Sequence, residues 1–141
     1  SAPAVAKEVT KILKAHGDLP AAKTDYRDGR TRVRFKECSP EEKARLIAEN
    51  PAYGRVVCRC ETMTEGEILN ALREEIPAAT IDGVKRRCGA GMGRCQGGFC
   101  GPRVLELISR TRGIDPLDVL QDKAGSNVLL CETKREGTNH D

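Results

Sequence analysis

The chain has no tryptophan, two phenylalanines and two tyrosines in 141 residues. A core built without aromatic bulk must come from Leu, Ile, Val and Ala, and such a core is thin enough for a metal centre to add materially to its stability. No apolar run is long enough for a membrane span or a secretory core segment, so no transmembrane segment is expected. Charge of one sign is also missing, because 24 basic and 21 acidic residues leave a net +3. Without a basic field or stacking aromatics, no nucleic-acid partner is expected, and Lys85-Arg86-Arg87 reads as a solvated helix end. No Ser/His/Asp set or carboxylate pair points to hydrolysis, and His16 and His140 receive no role. Glu61, Glu65 and Glu67 read as capping and surface charge.

What the chain does have is cysteine, seven in all. Outside an oxidising compartment, paired cysteines point to metal before disulfide, which fits a cytoplasmic protein. Four of the seven come as two tight pairs, Cys58-Arg59-Cys60 and Cys95 with Cys100, separated by a long helical stretch. The first pair diverges in an extended chain unless the backbone bends, with the Arg59 amide then facing the centre. The second lies in a loop entering a helix, where Gly97, Gly98 and Gly101 let bare backbone approach sulfur. Lys85, Arg86, Arg87, Arg94 and Arg103 supply cations nearby in sequence. By spacing alone, tetrahedral zinc in a structural interaction module and an iron–sulfur centre both remain open. Cys88 is a neighbour of the second pair, at the end of a helix where exposed carbonyls oppose a thiolate. Cys38 and Cys131 lack a paired neighbour and are expected to be ordinary thiols. The run Gly89-x-Gly91-x-Gly93 has neither the preceding strand nor the following helix of a dinucleotide loop.

Around these motifs the pattern predicts a mainly α, small multi-helix domain with a loop-bound four-cysteine centre and a short two-stranded β element. Val5, Val9, Ile12 and Leu13 form one stripe of a helix from Pro3 to His16, stopped by Gly17. A polar connector follows, with a short strand around Thr31 to Phe35 anchored by Val33 and Phe35. Ser39-Pro40-Glu41-Glu42 is a capping box opening a helix to about Glu49, and Thr64-Glu65-Gly66-Glu67 is a second one, with Ile68, Leu69 and Leu72 inward. Thr80 starts a short helix from Ile81 to about Arg87. Gly101-Pro102 opens another, with Val104, Leu105, Leu107 and Ile108 inward and Gly113 as its stop. A last short helix carries Leu117, Val119 and Leu120, and a strand is expected at Asn127 to Leu130. The expected divisions are a terminal helix at 1–16, a linker at 17–38, the cysteine domain at 39–125 and a tail at 126–141.

Cys58-Arg59-Cys60-Glu61-Thr62, Ile81-Asp82-Gly83-Val84-Lys85-Arg86-Arg87 and the run from Gly91 to Pro102 resemble the [2Fe-2S] domain of the bacterioferritin-associated ferredoxin type. More closely, they resemble its version at the C-terminus of FAD-dependent dehydrogenases of the anaerobic glycerol-3-phosphate dehydrogenase family, over about Asn50 to Gly113. The resemblance implies a [2Fe-2S] cluster on Cys58, Cys60, Cys95 and Cys100, with Arg59, Arg94, Gly97 and Gly98 contacting the cofactor. It also implies FAD in a flavin domain of the same parent chain, whose last helix Ser1-Ala2-Pro3-Ala4-Val5-Ala6 resembles. The chain is then expected to be a fragment that passes electrons from flavin to an acceptor protein or subunit. Through such a partner, a cytoplasmic protein reaches a membrane. The fragment itself, with nothing to bind flavin, is not expected to turn over a hydroxylated substrate.

Overall fold

The computed structural model describes residues 1–17, 19, 21, 23–26, 29 and 32–133. It divides into two units, Ser1–Arg32 and Val33–Asp141. The first holds helix α1, Ala2–His16, whose last turn closes when the amide of Gly17, at φ 75°, reaches the carbonyls of Leu13 and Lys14. No residue of α1 is buried.

The second unit is built from α2 (Pro40–Glu49), a two-stranded antiparallel ribbon of β1 (Val56–Cys58) and β2 (Met63–Thr64), and then α3 (Glu65–Arg73), α4 (Ile81–Cys88) and α5 (Gly101–Arg112). Mainly α with one small β element is thus the architecture the pattern predicts. Both capping boxes are present with both of their hydrogen bonds, Ser39 with Glu42 and Thr64 with Glu67. Thr80 caps α4 by accepting from the Gly83 amide at 3.0 Å, and Gly113, at φ 64°, ends α5.

Helices α3, α4 and α5 pack on one another through Ile68, Leu72, Val84, Val104, Leu107 and Ile108, all buried, with Val119 closing the cluster from the C-terminal side. Each such side chain contributes roughly 1.5–3 kcal/mol by leaving water. Cys58 and Cys100 belong to this same cluster. The core therefore reaches directly under the two cysteine pairs.

Four expectations need correction. The strand near Phe35 is instead a 3₁₀ turn, Phe35–Glu37, while Thr31 lies outside the described residues. Phe35 is held by a side chain rather than a strand ladder: its amide donates to Glu67 Oε1 at 3.1 Å, and its ring lies 6.2 Å from that of Tyr53. Tyr53 itself sits in an unforeseen 3₁₀ turn, Pro51–Gly54, and packs so closely on Gly66 that a Cβ there would come within 2.9 Å of the ring. The last helix shrinks to a 3₁₀ turn, Pro116–Asp118, and the Asn127 to Leu130 strand to one bridge between Leu120 and Asn127. Only Val119 finds core to enter there, whereas Leu129 and Leu130 stay exposed and have nothing to reward a longer ladder.

The fourth correction is Glu65, which is no surface charge. It is 1% exposed and meets three guanidiniums, from Arg55 at 2.8 Å, Arg103 at 3.1 Å and Arg110 at 3.5 Å. Its hydrogen bonds from Arg55, and further from Arg103, outweigh the cost of burial and hold the carboxyl down at about 2 against an ordinary 4.5. A depressed carboxyl contributes stability that is complete above the unfolded value and fades as pH falls from 4.5 toward 2. In urea unfolding with thiols kept reduced, Glu65→Gln should cost about 1–3 kcal/mol at pH 7, a range that allows for water screening the exposed Arg55 and Arg110. The gap between the two proteins should close steadily below pH 4.5.

Candidate metal centre

The two cysteine pairs meet at one end of the core. Cys58 is the last residue of β1 and is buried, and Cys60 lies in the turn to β2 and is exposed. Between Val56 and Cys58 the ribbon register slips, and Thr62 takes φ 54°. A β-branched residue seldom adopts that conformation, which here reverses the chain within four residues. The bend is what an extended C-x-C needs to turn both thiols one way.

The second pair sits in a chain of tight turns before α5. Gly91 and Gly97 have φ near +88°, and Gln96, at φ 49°, is held by its own side chain donating to the carbonyls of Met92 and Gly93 at 3.1 and 3.0 Å. Cys100, buried, is the N-cap of α5. Gly93 brings the two halves together, because any Cβ on it would overlap the Cβ of Cys60 and stand 3.4 Å from its sulfur. Cys60 Sγ and Cys95 Sγ end 3.6 Å apart. Two sulfurs on one tetrahedral metal with bonds of about 2.3 Å are separated by about 3.8 Å.

The four thiols are not electrostatically alike. Amide hydrogen bonds from Phe99, the Cys60 thiol, and the amides of Gly97 and Gly98 lower the Cys95 thiol below its usual value. Burial, followed by the charge and hydrogen bond of Cys58, pushes Cys100 up to about 11. A buried sulfur of that kind ionises only beside added positive charge, and that of Arg55 and Arg103 is already partly offset by Glu65. The donor set therefore suits a centre that is itself cationic and takes thiolate. Among the described residues no three His, Cys, Asp or Glu side chains gather around a single-ion position. The thiols approach instead as two pairs, Cys60 with Cys95 and Cys58 with Cys100.

A cleft of ≈ 720 Å³ opens over them, lined also by Arg55, Val56, Val57, Arg59, Glu65, Phe99 and Arg103. Phe99 is 89% exposed at its mouth. Of the other residues singled out in the sequence, Arg59 borders this cleft, and Gly97 and Gly98 direct amides to Cys95. Arg94 is exposed and is not among the lining residues. Arg86 pairs with Asp122, and Arg87 donates to the Ile76 carbonyl at 2.7 Å, so these two cations are engaged elsewhere. Lys85 reaches Gln96, at 3.5 Å. Cys88, at the end of α4, donates to the Val84 carbonyl at 3.3 Å, and Cys38 to that of Arg34 at 3.4 Å. Cys131 is exposed, His16 closes α1, and His140 lies outside the described residues. Arg55 and Glu65 are the site residues that sequence reasoning missed. One signal was available: Arg103 and Arg110 are seven apart, two turns along one face of α5, and call for an acid to meet them.

Residues 56–110 match the family described as the BFD-like [2Fe-2S] binding domain. The chain is 42% identical over 137 residues to a glycerol 3-phosphate dehydrogenase of Caloramator mitchellensis, covering 96% of this chain and 28% of that protein. It is 39% identical over 64 residues to an opine oxidase subunit of Rhizobium meliloti, covering 45% of this chain and 12% of the relative. A subunit of the anaerobic glycerol-3-phosphate dehydrogenase of Escherichia coli is 34% identical over 64 residues, with the same two coverages. The chain thus spans under a third of the length of these relatives. No solved structure matches it. The family match favours a [2Fe-2S] group over zinc.

Gly93→Ala should break the meeting of the two halves without touching a sulfur. Mild oxidation of the metal-free protein is expected to join Cys60 to Cys95 in the wild type, and peptide mapping should find that bond largely lost in the variant.

Proposed function

Because residues 56–110 match the BFD-like [2Fe-2S] binding domain, we propose that Cys58, Cys60, Cys95 and Cys100 are the four ligands of such a cluster and that the chain is the electron-transfer portion of a FAD-dependent dehydrogenase. The observation that carries this reading is the convergence of four thiols as two pairs, one sulfur already supplied with backbone amides and another needing a cationic centre to ionise. When bound, the cluster accepts and releases one electron at a time. The protein's own part is positional and electrostatic. Gly97, Gly98 and Phe99 amides stabilise negative charge at Cys95, and the core beneath Cys58 and Cys100 keeps water from one side. Arg59, at the rim, and Arg94, exposed nearby, supply positive potential to the negatively charged group.

In the parent protein, electrons arrive from FAD in a flavin domain that has oxidised a small hydroxylated substrate such as glycerol 3-phosphate, and leave to an acceptor protein or subunit. The length and names of the relatives support this reading. Residues 1–16 then belong to the flavin domain, 17–38 to a linker and 126–141 to a tail. Among the described residues no helix is long and apolar enough to cross a membrane. A cytoplasmic setting, with any membrane contact made through a partner protein, agrees with four cysteines that come as two pairs suited to metal.

Prepared without oxygen, the chain should be brown, contain about two irons and give an electron paramagnetic signal on reduction. Each Cys→Ser change at the four ligands should lose or badly distort the spectrum, while Cys88→Ser should keep it. Stoichiometric zinc, with no iron taken up on reconstitution, would overturn the proposal. Incubated alone with glycerol 3-phosphate and a dye, the chain should show no turnover.

A further inference from the structure

Glu65 occupies an unusual place for a carboxylate that serves only to hold helices together. It lines the same cleft as all four thiols, yet it is almost fully buried. Its two oxygens take both ends of the Arg55 guanidinium at 2.8 Å, three residues before Cys58, and Oε2 also takes Arg103 at 3.1 Å, three residues after Cys100. The Glu65 amide donates to the Arg55 carbonyl at 2.8 Å, so the strand carrying Cys58 is gripped by backbone and side chain together. Arg110 completes the shell at 3.5 Å. One carboxylate thereby ties together the segments that deliver Cys58 and Cys100, the buried thiols of the set.

On the reading of the four thiols as cluster ligands, we infer that Glu65, with Arg55 and Arg103, is a positioning residue that sets the reduction potential of the centre. The geometry supplies the reason. Reduction adds one electron to a group already carrying a negative charge of about two, with no bond made or broken. With core on one side of Cys58 and Cys100 and Glu65 itself buried, that carboxylate acts with little water between, while the half-exposed Arg55 and Arg103 act through a partly screened field. Arg55 and Arg103 favour the added electron, and Glu65 partly cancels them while fixing where they lie. A carboxylate at this point holds the potential below what the guanidiniums alone would impose.

The test uses the full chain, reconstituted anaerobically with iron and sulfide and titrated with dithionite against mediator dyes. Glu65→Gln should keep wild-type iron and shift the equilibrium with the dye about tenfold toward the reduced form, which is 59 mV for a one-electron couple. Glu65→Asp, which restores the charge, should return most of that shift. Arg55→Gln should move the potential the opposite way, because it removes a cation. A purely structural role gives no such pairing of signs. Should Glu65→Gln fail to retain iron, Arg55→Gln and Arg110→Gln decide the matter, since both side chains are largely exposed: both must lower the potential. Shifts of the same sign for Glu65→Gln and Arg55→Gln, or shifts within twofold for every variant while the wild type holds its cluster, would overturn the inference. A wild type that takes up no iron takes the ligand reading down with it.

Discussion

The buried carboxylate of Glu65 is the interaction on which the cysteine end of the molecule rests. A lone carboxylate at that depth would protonate or pull the helix outward, so its presence requires the guanidiniums around it. Those guanidiniums come from the residue before β1 and from two positions two turns apart on one face of α5. The carboxylate thus dictates where three elements stand. Glu65 is also the first residue of α3, beside the Thr64–Glu67 capping box, so the helix start and the ion cluster reinforce each other. Glu67 extends the arrangement by accepting from Phe35, which brings the segment before α2 under the same control. Removing one partner costs more than the pair is worth, because what remains is a charge without company.

Above that base the cysteine loops store local strain in a few positions. Thr62 and Gln96 adopt the left-handed conformation without being glycine, one in each loop. Gly93 sits where no side chain fits. These features are costly singly, by about 1–3 kcal/mol for a strained backbone position, and persist because core packing on both sides leaves the loops no alternative course. What they produce is unequal surroundings for the thiols. The outer sulfurs, Cys60 and Cys95, lie toward water and amides, while Cys58 and Cys100 lie against Leu and Val side chains. The outer side is also the open one, where Phe99 and Arg59 border the cleft.

Much of this was legible along the chain because it depends on near neighbours. A capping box needs only residues three apart, and Ser39 with Glu42 and Thr64 with Glu67 formed as their spacing requires. The stops at Gly17 and Gly113 depend on one residue's freedom at positive φ. Two cysteine pairs flanked by glycine announced a thiol-rich centre before any fold was in view. The failures were of the opposite kind. The tail's apolar residues have strand propensity, but a strand exists only where a neighbour pairs with it, and Leu129 and Leu130 found none in the described residues. In the polar stretch before Ser39, Phe35 does anchor the connector as expected, but in a 3₁₀ turn against Tyr53 and Glu67, partners distant in sequence, rather than in a strand.

Residue order alone settled the five α-helices, most of their ends and the presence of four paired cysteines, since those follow from interactions a few residues long. Which cations serve the site was left to long-range packing. Arg86 and Arg87 lie near the cysteines along the chain yet turn to Asp122 and Ile76, while Arg55 and Arg103 arrive through Glu65. A charge's effect depends on distance and on how much water intervenes, and neither is written in the order of residues along a chain.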